Sequence, residues 1–255
     1  MSERVALAFD GDVATLTIDR PAHLNALDTA TLEALDAALE EARGEAQALV
    51  ITGAGDDAFV AGADIAEMAE MNTTEAEAYS RLGHDVMSAV ESFPAPVIAA
   101  INGYAIGGGC ELALACDFRV ASERAVVGHT EIDLGITPGW GGTQRLPRLV
   151  GDETARRLIM FGERIDASDA YNLGLVGEVI AHDDLDDHAA AMAADLAAKP
   201  TTAMRAAKES LNQARTTDLA AGLDFERRTW ASLFDTDDQR EGMAAFLDDR
   251  DPDFE

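Results

Sequence analysis

The sequence predicts an α/β fold followed by a helical C-terminal subdomain, and three observations support this prediction. Short apolar, β-branched runs alternate with helical patterns up to about Asp183. At the centre, the apolar run 97–101 leads through a glycine-dense turn into an apolar helix that begins near Gly108. Beyond Asp183 the strand patterns stop, and three or four helices are expected. The alternation implies crossover connections between strands.

The elements before the central segment follow from local patterns. Strands at 4–9 and 13–18 are expected to be joined by a turn at Asp10-Gly11-Asp12, since Asp-Gly is frequent in hairpin turns. Asp28 or Thr29 can cap a helix to about Arg43. The sequence further predicts a buried strand at 48–52, a glycine- and aspartate-rich loop at 53–63, a helix from Asp64, a looser segment at 71–77, a helix to about Ser92, and a break at Pro94 and Pro96.

After the central helix, strands are expected at 118–121 and 125–128. A second loop at 131–142 then leads into a helix that ends near Val150. The change from mixed to purely helical patterns places a domain boundary near residue 195. We therefore predict a core at 1–195 and a helical subdomain at 196–255, with breaks at Pro200 and at the aspartate cluster 235–238.

The net charge of −29 is unusual for a chain of 255 residues. Only two lysines, Lys199 and Lys208, stand against 48 acidic residues, which are spread along the chain. Such a surface repels itself at low ionic strength, and about 1 M salt screens that repulsion. The composition indicates a salt-adapted host, with an ordinary acidic cytosolic protein as the alternative. Binding to nucleic acid through a basic patch is disfavoured.

Two further features indicate a cytoplasmic protein that does not cross a membrane. No apolar run approaches the roughly 18 residues that a membrane helix requires, and the N-terminal residues lack a signal-peptide pattern. Cys110 and Cys116 lie in one apolar helix, where a disulfide between them is not expected. The two cysteines therefore fit a reducing compartment.

Common motifs for nucleotides, metals and nucleophilic catalysis are not convincing here. The chain has no G-x-G-x-x-G, and neither lysine follows a glycine as in a P-loop. His129, Glu131 and Asp133 alternate and could share one face, but such a set is common on surfaces, so no metal site is predicted. No serine lies in a G-x-S-x-G context.

The central segment carries the strongest chemical signal. A helix that starts at glycines exposes backbone N–H groups at the positive end of its dipole, where an oxyanion or a phosphate can bind. Glu111 lies in that first turn among alanine, leucine and cysteine residues, and a second carboxylate, Glu131, follows twenty residues later. Taken alone, Glu111 could also be an acid that the helix dipole stabilises.

Several linked motifs across almost the whole chain resemble the crotonase superfamily, and most closely the enoyl-CoA hydratases within it. The matching motifs are Arg20-Pro21 with Asn25-Ala26-Leu27, the segment Ala61-Gly62-Ala63-Asp64, NGYAIGGGCELALACD from Asn102, Glu131, LGITPGWGGTQRLPRLVG from Leu134, and the tail FDTDDQREGMAAFLDDRDPDF. Their common order makes the resemblance far more specific than any one glycine cluster.

The resemblance implies a fold, an assembly and an activity. The fold would be a spiral of ββα turns, trimerised through the C-terminal helices and usually hexameric. The activity would be hydration of a trans-2-enoyl-CoA to a (3S)-3-hydroxyacyl-CoA, as in fatty-acid β-oxidation. No cofactor is expected, because coenzyme A is part of the substrate. The alternatives are an enoyl-CoA isomerase, a branched acyl-CoA hydratase and a non-catalytic acyl-CoA-binding protein.

The resemblance also assigns roles to individual residues. The backbone N–H groups of Ala63 and Gly108 would polarise the thioester carbonyl, as an oxyanion hole does. Glu111 would activate water, Glu131 would protonate Cα, and Gly139 would offer a backbone donor nearby. The expected residues for coenzyme A and the acyl group are His23, Leu24, Ala26, Ala61, Ala63, Asp64, Ile65, Gly107, Gly108 and Trp140. Trp140 stands where many hydratases have a small residue, so it is expected to reshape the acyl pocket.

Overall fold

The computed structural model describes residues 4–254, and within them the chain forms ten strands and eleven α-helices. The strands are β1 (Val5–Asp10), β2 (Val13–Ile18), β3 (Ala48–Gly53), β4 (Ala58–Val60), β5 (Val97–Ile101), β6 (Tyr104–Ile106), β7 (Phe118–Ser122), β8 (Val126–Gly128), β9 (Arg164–Asp166) and β10 (Glu178–Ile180). The helices are α1 (Thr29–Ala42), α2 (Ile65–Met68), α3 (Thr73–Glu91), α4 (Gly108–Ala115), α5 (Gly142–Val150), α6 (Asp152–Met160), α7 (Ala167–Asn172), α8 (Leu185–Ala197), α9 (Thr201–Gln213), α10 (Leu219–Ser232) and α11 (Asp237–Leu247).

The chain winds as a spiral between two sheets. The larger sheet has the order β1-β2-β3-β5-β7-β10, and the smaller has the order β4-β6-β8-β9. Each turn of the spiral places one strand in the larger sheet, the next strand in the smaller sheet and then a helix, as in β5, β6 and α4. Successive turns stack in parallel, since β3 pairs with β5, and β4 pairs with β6. The α/β fold and its ββα spiral are therefore confirmed.

Both faces of the larger sheet are buried, because its central strands are apolar on successive residues and so present apolar side chains to both sides. In β3, Leu49 and Ile51 face the main core between the sheet and the helices, whereas Val50 faces α8 on the opposite side. Leu185 and Ala189 of α8 complete that second layer. No helix within residues 4–254 is long and apolar enough to cross a membrane.

Three predicted elements differ in the structure. The predicted loop 53–63 contains β4, and the glycine-dense turn after β5 contains β6; both were missed because a three-residue strand gives too short a pattern. The looser segment is shorter than predicted, since Asn72 caps α3 with its side chain and the helix starts at Thr73. The domain boundary near residue 195 stays a prediction; residue 195 lies in α8, two residues before that helix ends at Ala197.

Candidate active site

Three separated segments of the chain meet around one cavity of about 420 Å³. They follow β4, β6 and β8, and α3 covers the cavity from another side. Because these three strands are parallel neighbours in the smaller sheet, the segments after them emerge at the same edge. Both carboxylates that the sequence indicates, Glu111 and Glu131, line this cavity.

The turn into α4 requires glycine for two different reasons. Gly107 has a φ of +53°, which is unfavourable for other residues, and a Cβ there would lie 3.4 Å from Oε1 of Glu131. At Gly109 the limit is space, because a Cβ would lie 1.9 Å from the carbonyl oxygen of Val60 in β4. The glycines thus let the start of α4 pack directly against the neighbouring strand and face the cavity.

Two backbone N–H groups are available at the cavity wall. Gly108 is the first residue of α4, so its N–H has no acceptor within the helix. Ala63 forms a parallel bridge with Leu27, in which its two neighbours make the bonds: Leu27 N–H donates to Gly62 O at 2.8 Å, and Asp64 N–H donates to Leu27 O at 2.9 Å. The N–H of Ala63 therefore points away from that bridge. Both donor residues line the cavity.

Glu111 is buried, with only 2% of its surface exposed. Its Oε1 accepts hydrogen bonds from the backbone N–H groups of Trp140 and Gly142, both at 2.7 Å. Burial raises the pKa of Glu111 above its usual range, and the two N–H donors and His129 counteract only part of that effect. Because both bonds go to Oε1, the carboxylate is fixed in orientation and Oε2 is the oxygen left for a ligand.

Glu131 begins a 3-10 turn directly after β8 and is 9% exposed. Its Oε1 lies 3.3 Å from Nδ1 of the buried His129. Among the residues that the structure describes, its Oε2 is buried without a hydrogen-bond partner. A buried carboxylate oxygen without a partner is costly, and such an atom at a cavity wall points to a ligand that supplies the missing bond.

The loop after β2 lies alongside the segment that follows β4. Leu24 and Asn25 both have positive φ, of 50° and 58°, and the amide of Asn25 donates to the carbonyl oxygen of Ala58 at 2.7 Å. Ala61 N–H donates to Leu24 O at 3.0 Å, which ties the two segments together. The two groups of residues predicted to bind coenzyme A, at 23–26 and 61–65, are therefore neighbours in space.

The structure places most of the predicted site residues together, but not all of them on the cavity wall. Asp64 caps α2 by accepting from Ala66 N–H at 3.1 Å, and it pairs with Arg20 at 3.2 Å, so its carboxylate holds the backbone of this segment. Those on the wall are Ala61, Ala63, Ile65, Gly107, Gly108, Glu111, Glu131, Gly139 and Trp140. Those outside it are His23, Leu24, Ala26 and Asp64.

The sequence matches one protein family over nearly its whole length. The family model described as enoyl-CoA hydratase/isomerase matches residues 8–255. The chain belongs to this family.

Individual members of the enoyl-CoA hydratase/isomerase family are similar over almost their full length. The short-chain-enoyl-CoA hydratase of Clostridium acetobutylicum is 43% identical over 248 residues, which are 96% of this chain and 95% of that protein. The crotonyl-CoA hydratase of Syntrophomonas wolfei is 41% identical over 254 residues, covering 99% and 98% of the two chains. The crystal structure of an enoyl-CoA hydratase from Bacillus anthracis superposes with a TM-score of 0.95 at 40% identity, over 98% of each chain.

Sequence reasoning missed four residues that shape this candidate site. His129 was weighed only as a metal ligand, although it lies against Glu131. Gly142 donates its backbone N–H to Glu111. A hydrogen bond from the main chain cannot be predicted from the type of side chain. Ser80 of α3 donates to the carbonyl oxygen of Gly139 at 2.8 Å, and Gly83 of α3 faces the indole of Trp140. For α3, the one signal in the sequence was Gly83, because a glycine in the middle of a long helix indicates close packing against another group.

Proposed function

We propose that this protein hydrates trans-2-enoyl-CoA thioesters to (3S)-3-hydroxyacyl-CoA, as in fatty-acid β-oxidation. The observation that carries the proposal is the placement of two buried carboxylates and two backbone N–H donors around one cavity. Hydration needs a base for water, an acid for Cα and stabilisation of the oxyanion between them. The names of the Clostridium and Syntrophomonas relatives support the same reaction.

Each group has one step in the proposed reaction. Glu111 takes a proton from water through Oε2 while the water oxygen bonds to Cβ of the enoyl group. The electron pair of the Cα–Cβ double bond moves toward the thioester, whose oxygen accepts from the N–H groups of Ala63 and Gly108. Glu131 then delivers a proton to Cα through Oε2, its unpartnered oxygen. Losing one such backbone donor typically costs about 3 kcal/mol of transition-state stabilisation.

Coenzyme A would lie along the paired segments 23–26 and 61–65, outside the carboxylates. Arg20 links this segment pair to the start of α1, because its guanidinium pairs with both Asp28 and Asp64, at 3.1 and 3.2 Å. The thioester would then enter between Ala63 and Gly108, and the acyl group would continue toward Gly139 and Trp140. The nearby Gly139 N–H is a candidate donor to the water.

The test follows loss of the enoyl-thioester absorbance of crotonyl-CoA in molar salt, for the wild type and for Glu111→Gln and Glu131→Gln. Each variant keeps the shape of its side chain, so we expect a folded protein that is slower by roughly 10²- to 10⁴-fold, the usual worth of one general acid or base. Glu123→Gln is the matched control, because Glu123 is exposed on a loop after β7. A folded wild type that leaves crotonyl-CoA unchanged would overturn simple short-chain hydration.

Product analysis separates the competing functions. An isomerase would convert a trans-3-enoyl-CoA without adding water, and a branched-chain hydratase would prefer a methyl-substituted substrate. A non-catalytic acyl-CoA-binding protein would bind substrate without turnover. Oxidation of the product by a dehydrogenase specific for (3S)-3-hydroxyacyl-CoA checks the stereochemistry.

We further propose that the protein forms a homotrimer, or a dimer of trimers, through its C-terminal helices. Large apolar side chains on these helices are strongly exposed in the single chain, which is unusual for a surface that stays in water. The most exposed are Leu211, Leu219, Trp230, Phe246 and Leu247, at 62–85%. Light scattering after size-exclusion chromatography measures the mass, and a monomer would contradict the proposal.

The charge and the cysteines support a salt-rich cytoplasm as the place of action. The net charge of −29 favours an environment that screens repulsion. Cys110 and Cys116 are both buried free thiols, which suits a reducing compartment.

A further inference from the structure

The side chain of Trp140 fills the gap between α3 and the start of α4. It is 3% exposed although it lines the cavity. A Cβ placed on Gly83 of α3 would lie 2.1 Å from Nε1 of the indole, and one placed on Gly108 of α4 would lie 2.3 Å from Cζ3. Opposite edges of one rigid ring therefore touch the backbones of both helices.

Two further contacts fix the ring in this position. Tyr79 of α3 packs edge-on against the indole, with ring centroids 5.3 Å apart and planes at 67°. The hydroxyl of Tyr79 donates to the carbonyl oxygen of Leu27 at 2.5 Å, which anchors the tyrosine in turn. Rotating the indole out of the gap would break its contacts with Tyr79, Gly83 and Gly108.

Gly83 is otherwise difficult to explain. It lies in the interior of a 19-residue helix, where glycine costs about 1 kcal/mol relative to alanine. Gly83 is buried, and the indole of Trp140 occupies the space that a side chain at position 83 would need. Gly83 and Trp140 thus form a matched pair, in which the absence of one side chain accommodates the size of the other.

We propose that the indole of Trp140 closes the far end of the acyl pocket and restricts this protein to short-chain enoyl-CoA substrates, an inference that rests on the proposed function. The ring touches Gly108, one of the two donors assigned to the thioester oxygen, and the Trp140 backbone N–H holds Glu111. A substrate whose Cβ faces Glu111 therefore has the indole directly beyond it. An acyl chain of eight or ten carbons would need the space that the ring occupies.

The test compares kcat/KM for trans-2-enoyl-CoA substrates of four, eight and ten carbons. For the wild type we expect the four-carbon substrate to be preferred over the ten-carbon one by at least about 10²-fold, since one excluded methylene is worth roughly 10-fold or more. Trp140→Ala keeps the backbone N–H to Glu111 and opens the gap, so this preference should fall by at least tenfold. Leu173→Ala removes a similar apolar volume at a partly exposed position outside the cavity and should leave the ratio unchanged.

Gly83→Ala provides an independent arm if Trp140→Ala folds poorly. Its Cβ pushes the indole toward the cavity, so kcat/KM should fall even for the four-carbon substrate, and Gly83→Ala combined with Trp140→Ala should restore it. A wild type that hydrates four- and ten-carbon substrates equally well would overturn the inference while the proposed function stands. A folded wild type that hydrates none of the three would overturn the proposed function itself.

Discussion

Nδ1 of His129 lies 3.3 Å from Oε1 of Glu131, and both side chains are buried, with Glu131 on the cavity wall and His129 behind it. Within residues 4–254, Nε2 of His129 and Oε2 of Glu131 are buried without hydrogen-bond partners. Burial alone would lower the pKa of His129, but Cys110 and Glu131 beside it outweigh burial and raise its pKa well above 6.5. His129 therefore keeps its own proton at neutral pH, beside the carboxyl group of Glu131 that the proposed reaction uses to protonate Cα.

Replacing His129 tests whether this histidine positions Glu131 and whether the protonated imidazole supports activity. His129→Gln retains a donor to Glu131 but cannot titrate, so most of the activity near pH 6 should remain while the alkaline limb of the kcat/KM profile moves to lower pH. His129→Leu removes the donor and should lower kcat by roughly 10- to 100-fold, since a hydrogen bond to a charged group is worth about 1.5–3 kcal/mol. The measurement is kcat/KM from pH 5 to 10.

The control for this series is His188→Gln, because His188 is an exposed residue that pairs with Glu178 at 2.8 Å far from the cavity. Its pH profile should match that of the wild type. Identical alkaline limbs in the wild type and His129→Gln would show that the histidine has no part in holding the proton. Glu111 and Cys110 also face His129, so Cys110→Ala checks that the thiol does not cause the limb.

Glu111→Gln should separate activity from stability. The folded-state pKa of Glu111 is raised above the ordinary value of 4.5, so folding binds a proton, and the wild type loses stability as pH rises from about 4.5 through the raised pKa. Glutamine can accept from the same two N–H groups without a charge. We expect the variant to be slower by roughly 10²- to 10⁴-fold yet at least as stable as the wild type at pH 7, with its stability advantage shrinking toward pH 4. Urea unfolding at pH 4 and pH 7 measures the free energy of unfolding of both proteins. A variant that is less stable than the wild type at pH 7 would contradict this expectation.

Lys208 should matter for stability although it lies far from the cavity. Its ammonium group in α9 is 8% exposed, 2.7 Å from Asp117 and 3.0 Å from the carbonyl oxygen of Ala95. Lys208→Met leaves the aspartate with one backbone donor, Val97 N–H at 2.8 Å, so we expect a loss of about 3–5 kcal/mol. Denaturant unfolding provides the value. Lys199→Met is the matched control, since the other lysine is exposed and its loss should cost under about 0.5 kcal/mol.

Salt should stabilise this protein by screening its net charge of −29. The Debye length falls from about 10 Å at 0.1 M to about 3 Å at 1 M, so the apparent Tm should rise steeply over this range and then level off. Thermal unfolding in NaCl from 0.1 to 3 M measures the change. If the Tm does not change with NaCl below 1 M, or rises steadily only above 1 M, the stabilisation would come from salting-out of apolar surface and not from charge screening.

The sequence predicted the parts of this structure that have a local pattern. Alternating strands and helices, the glycine turn at Gly107 and the isolated acid Glu111 are all visible in consecutive residues. The strands β4 and β6 escaped because three residues do not establish a period, and their pairing depends on segments more than forty residues apart.

Contacts that form only through the spiral could not be predicted from consecutive residues. His129 reaches Glu131 because the short turn after β8 folds both side chains inward, whereas on an extended strand they would merely share a face. Gly142 reaches Glu111 through its backbone, across 31 positions of sequence. The match between Gly83 and Trp140 joins a helix to a loop 57 residues later, and only the folded backbone reveals why that glycine is there.

The main chain and the side chain of Trp140 have two separate roles. Its main-chain N–H holds the carboxylate of Glu111, and any residue except proline at this position would supply the same hydrogen bond. Its side chain alone occupies the gap beside Gly83 and Gly108. Mutation at this codon can therefore change the shape of the cavity without displacing Glu111, so under the proposed function new substrate ranges would evolve here in single steps while the reaction itself is inherited unchanged.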